Sequence, residues 1–154
     1  MSKIRIQRAL LFAVSVAAAG LVARPAQAQT GLQYFAVTPC RAVDTRSGSG
    51  GIVSAGGFRG FTIKGVCGVP ATAKAVSLNL TVVTPTADGF FSMWPFGGAF
   101  PVVSTINFVA GEPAIANGAI VPLAAGTPDL NGVYGIAVGS ATTHALMDVT
   151  GYFQ

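Results

Sequence analysis

Ala75-Val76-Ser77-Leu78-Asn79-Leu80-Thr81-Val82-Val83 alternates apolar and polar residues over most of its length. Successive side chains of an extended strand point to opposite faces. Val76, Leu78, Leu80 and Val82 therefore share one face, and Ser77, Asn79 and Thr81 share the other. A helix would scatter the same residues round its axis, so the segment predicts a half-buried strand over 75–84. The pattern recurs in Phe61 and Ile63, in Ile106 and Phe108, and in Tyr134, Ile136 and Val138. Residues 29–154 hold 19 Gly and 8 Pro, a density that strands survive and helices do not. About nine short strands are predicted, at 32–38, 41–46, 58–64, 75–84, 89–95, 102–110, 115–123, 132–139 and 143–153. Such a series builds an all-β antiparallel β-sandwich, of Greek-key or jelly-roll type. Asp88-Gly89 predicts a hairpin turn, Asn117-Gly118 a bulge, and Ser47–Gly51 a mobile loop.

The first 28 residues read differently. Met1–Arg8 is basic, Ala9–Ala23 is an uncharged apolar run, and Pro25-Ala26-Gln27-Ala28 offers small residues for cleavage. This is the pattern of a secretory signal peptide over 1–28, cut after Ala28. The run is too short for a spanning helix, so no transmembrane segment is expected in the mature form. The domain is then 29–154, a single unit, secreted to the periplasm or beyond. Cys40 and Cys67 are the only cysteines. An even count in a small exported domain predicts one disulfide between them.

The formal charge of +4 belongs to the leader, which carries Lys3, Arg5, Arg8 and Arg24. Residues 29–154 balance five cations against five anions. A neutral domain presents no electrostatic footprint for nucleic acid. Three of its ten charges, Arg41, Asp44 and Arg46, fall together, and Asp148 stands alone in the apolar last strand. A charge in such a strand is costly unless paired. Asp148 is therefore expected to pair with Arg41 or Arg46, joining the first strand to the last in a structural ion-pair network.

Thr38-Pro39-Cys40-Arg41-Ala42-Val43-Asp44-Thr45-Arg46 resembles the opening signature, Pro-x-Arg-x-x-Asp-Thr-Arg, of an uncharacterised secreted bacterial domain family. Cys67-Gly68-Val69-Pro70, the 75–82 strand, Ser104–Phe108, Ile120-Val121-Pro122-Leu123 and the ending Asp148-Val149-Thr150-Gly151-Tyr152-Phe153 follow in the family's order. The resemblance spans nearly all of 35–153. It implies an extracellular all-β module of the kind found as surface-protein repeats, and it implies no catalytic residues.

The side chains themselves point away from catalysis. His144 is the only histidine, and no serine sits in a Gly-x-Ser-x-Gly elbow. One histidine and two paired cysteines do not make a metal site, and no cofactor motif is present. Asp88, Glu112 and Asp129 each sit beside glycine or proline and read as turn residues rather than a glycosidase pair. The binding signal is aromatic: Phe90, Phe91, Trp94, Phe96 and Phe100 fall within eleven residues. Phe90 and Trp94 share one strand face, Phe91 and Met93 the other. Either both faces are covered, or Trp94 with Phe96 is exposed to stack on a sugar ring or cover a protein partner. The expected function is a non-catalytic secreted or cell-surface structural or adhesive protein. Its partners would be envelope polysaccharide, envelope protein or a second copy. A carbohydrate-binding module built on Trp94 and Phe96 is the alternative, and a hydrolase a distant third.

Overall fold

The computed structural model describes residues 31–135 and 140–154. The expected leader, 1–28, lies outside these residues, as does the 136–139 part of the predicted strand 132–139. The described residues form nine strands and no helix. They are β1 (Tyr34–Asp44), β2 (Val53–Ser54), β3 (Phe58–Phe61), β4 (Ala75–Val83), β5 (Gly89–Pro95), β6 (Ile106–Phe108), β7 (Ile115–Pro122), β8 (Leu130–Gly135) and β9 (Thr142–Phe153). A first sheet runs β1-β9-β4-β7, with β2 also on β9, and a second runs β3-β8-β5-β6. Every pairing is antiparallel.

The two sheets close over one core. Val76, Leu78, Leu80 and Val82 of β4 enter it with Met147 and Val149 of β9. Phe61, Phe91, Met93, Ile106, Phe108 and Leu130 meet them from the second sheet. Strand β4 shows the cleanest alternation because it lies between β9 and β7, where both edges are paired and only the faces differ. Gly132 of β8 lies where the core is tightest. A Cβ there would stand 2.7 Å from the Phe91 ring and 2.9 Å from Phe61. Both rings are buried, so Gly132→Ala should overpack the core and cost about 1–3 kcal/mol, read as a lower urea midpoint.

The disulfide joins Cys40 to Cys67 across a Cα separation of 5.6 Å. It ties the loop after β3 to the edge strand β1. That loop turns through Cys67 and Gly68, both at positive φ.

Several local expectations are corrected. The predicted strands 32–38 and 41–46 are one strand, β1, interrupted by shifts of register between Ala36 and Cys40 and between Arg41 and Val43. Pro39 lies in the first irregular stretch, where it has no N–H to give the ladder. The predicted 58–64 strand stops at Phe61, because the Asp129 carboxylate takes the N–H groups of Ile63 and Lys64. The predicted 102–110 strand shrinks to 106–108. Asp88-Gly89 does not close a hairpin: β4 and β5 lie in different sheets, and Asp88 Oδ1 accepts the Ala110 N–H at 2.7 Å. Asn117 and Gly118 pair in regular register with Leu80 and Asn79, without a bulge. The 47–51 loop is tied at its far end by the Arg59 guanidinium, which donates to the carbonyls of Gly51 and Ile52.

Candidate functional site

The most distinctive surface is built by the segment between β5 and β6. Pro95 ends β5, and Gly97 at φ +75° lets the chain reverse, with the Gly98 N–H closing on the Pro95 carbonyl. Residues 96–105 then cross back over the outer face of the second sheet as a strap. Ser92 Oγ, pointing outward from β5, donates to the Val103 carbonyl at 2.7 Å. Trp94 Nε1 donates to the Gly98 carbonyl at 3.0 Å. The end of the strap is fastened by the Thr105 N–H to the Phe91 carbonyl and by Thr105 Oγ1, which accepts the Met93 N–H.

Trp94 is therefore covered and only 5% exposed. Phe58 and Phe100 meet it edge-on, with ring centroids at 5.3 and 5.4 Å. Of the two alternatives for β5, the covered one holds: both faces are buried at Trp94, the inner by the core and the outer by the strap. Phe96 keeps an exposed edge while the other side of its ring lies over Gly60.

What Trp94 loses, the strap and the start of β3 present. Phe58 is 66% exposed, Phe100 45%, Val103 71% and Val102 100%. Phe58 and Phe100 stack with centroids 5.9 Å apart, so the patch is continuous. A groove of about 300 Å³ opens beside it, lined by Phe90, Phe100, Pro101, Val102, Val103, Ser104 and Asn107. Residues 89–111 contain no charged side chain. The aromatic cluster pointed to this region, Phe100 included, but the sequence reading missed Phe58, Val102 and Val103 as surface residues: Phe58 was read as part of a strand and the two valines as strand formers.

The outer face of the first sheet is chemically opposite. Arg41 Nε and an Nη hydrogen donate to the two oxygens of Asp148, at 2.7 and 2.9 Å. Arg46 grips Asp44 the same way, at 3.0 and 2.8 Å, and adds its backbone N–H. Arg41 also stands 3.6 Å from Asp44, linking the two pairs. Arg46 donates to Asp44 through side chain and backbone and holds its carboxyl well below the ordinary range. The Arg41 guanidinium does the same to Asp148. Both carboxyls thus bind protons more weakly in the folded chain than at the ordinary value of 3.8. Their contribution to stability is whole above that value and is lost as pH falls through it toward the lower folded values. The urea midpoint should stay level between about pH 5 and pH 8 and fall below about pH 4. Asp148→Asn should flatten part of that fall. At neutral pH the same change should cost less than about 1 kcal/mol, because the Arg41 and Asp148 side chains are 44% and 28% exposed and solvent screens them.

No family model matches the chain. No curated protein matches it. Among solved structures, a dimer of the Tobacco streak virus coat protein is similar, with a TM-score of 0.40 and 12% identity, covering 80% of this chain and 88% of that one. A likeness at that level says nothing about function.

The remaining polar candidates are occupied structurally. His144 sits near the start of β9 with Nδ1 3.2 Å from Thr45 Oγ1, and that hydroxyl accepts the Ala145 N–H. Asp129, read as a turn residue, is fully buried and binds two backbone N–H groups. No group of three or more potential metal ligands occurs among the described residues.

Proposed function

We propose that the chain is a non-catalytic structural or adhesive module of an exported or cell-surface kind, working by presenting an apolar face rather than by chemistry. The observation that carries this reading is the strap: a contiguous, uncharged aromatic and aliphatic surface fixed to a rigid sheet. Patches of this sort mark interaction sites on soluble domains. The acids support the same reading. Asp44 and Asp148 are held by arginines, and Asp88 and Asp129 by backbone N–H groups. The motif resemblance to secreted bacterial surface modules fits the same placement, as does an intact disulfide.

The test is retention on cell-envelope fractions. The exported chain should sediment with them, and Val102→Asp/Val103→Asp should abolish retention without changing the thermal midpoint, since both side chains already face solvent. Equal retention of the double variant, or hydrolysis of a polysaccharide by the pure protein, would overturn the proposal. Glycan panels read by Trp94 fluorescence separate the polysaccharide partner from a protein one. A sugar seated on Phe58 or Phe100 would alter the emission of Trp94, which both rings meet.

A further inference from the structure

We infer that the strap is covered by a second copy of this chain, strap against strap about a two-fold axis. The inference rests on the reading of the strap as the working surface. Phe58, Phe96, Phe100, Val102 and Val103 leave bare roughly 500–600 Å² of apolar surface, taking ordinary side-chain areas with their exposures. That lies at the upper limit for a monomer's largest patch, about 600 Å². With a polar rim it approaches the ~800 Å² per partner of a standard interface.

Charge decides between occupants. A patch rich in one sign repels its own copy, whereas Phe58 and residues 89–111 carry no charge. A strongly acidic or basic partner finds no counterpart here. Shape points the same way. Val102 is fully exposed at the lip of the mostly apolar groove that it lines with Phe90, Phe100, Val103, Ser104 and Asn107. Knob and hole therefore sit in one patch, which is what an isologous contact needs: each copy's Val102 enters the other's groove. Such a small interface predicts a weak, reversible dimer with a midpoint of roughly 10–100 µM.

Sedimentation velocity of the exported chain across that range tests this. The wild type should shift from monomer to dimer. Val102→Asp should raise the midpoint at least tenfold, and Ile120→Asp, on the edge strand of the first sheet, should leave it unchanged. A monomer at every concentration, or Val102→Asp dimerising as the wild type does, overturns the inference. The two readings separate cleanly. A monomer still retained on envelope fractions sinks the second copy and leaves the adhesive reading standing. A Val102-dependent dimer without retention supports the second copy and sinks envelope attachment.

Discussion

Asp129→Ala is expected to lower the unfolding free energy by about 3–5 kcal/mol, the largest effect of any single polar change in this chain. The carboxylate is completely buried and accepts the Ile63 N–H at 3.0 Å and the Lys64 N–H at 2.9 Å. Alanine leaves both donors buried and unpaired, and each orphan costs about 1–3 kcal/mol. The backbone of Asp129, which alanine retains, adds further ties: its carbonyl accepts the N–H groups of Phe96 and Ala124, and its own N–H donates to the Phe61 carbonyl. One residue thus fastens the exit of β3, the start of the strap and the 124 loop. Asp129→Asn keeps one acceptor oxygen and should lose less. Urea unfolding at neutral pH reads both, as a lower midpoint at unchanged slope. Because Phe96 opens the strap, Trp94 emission should also shift to the red in the alanine variant. A wild-type midpoint for Asp129→Ala would show that these hydrogen bonds do not hold the second sheet to its loops.

Loss of the Cys40–Cys67 disulfide should rank next. The bridge closes 27 residues of chain. Restricting the unfolded chain by a loop of that size is worth about 3.5 kcal/mol. The closed segment is also held through Asp129 at Ile63 and Lys64 and by turn hydrogen bonds such as Gly65 N–H to the Val69 carbonyl. The native fold should therefore persist without the bridge, at lower stability. The Cys40→Ala/Cys67→Ala variant, or wild type in reductant, should show a fall of about 2–4 kcal/mol in urea. It should still bury Trp94, which lies in the other sheet.

How far the sequence could be read depended on how local each cause was. The alternation of 75–83 revealed β4 because its inward and outward positions follow from the strand alone. Asp148 in an apolar strand pointed to a cation, although choosing Arg41 over Arg46 needed the β1–β9 register, which places Arg41 opposite Asp148. The cysteines needed only their even number and the expected compartment. What stayed open or failed was nonlocal. Alternation in 89–95 put Trp94 on the outer face, but whether that face is wet depends on ten further residues folding over it. Val102 and Val103 have strong strand propensity, and the strap overrides it through the bonds from Ser92 and Thr105. Asp129 sits in a turn, as its neighbours suggested, yet its carboxylate acts 66 residues back in the chain at Ile63. No short pattern announces that.

Hydroxyl-radical footprinting of the protein, alone and on envelope fractions, asks directly which surface does the binding. Oxidation of Phe58, Phe100, Val102 and Val103 should drop on binding, while that of Tyr34 and Ile120 stays as it was. Protection centred on the Arg41–Asp148 face, with the strap as reactive as before, would contradict the account.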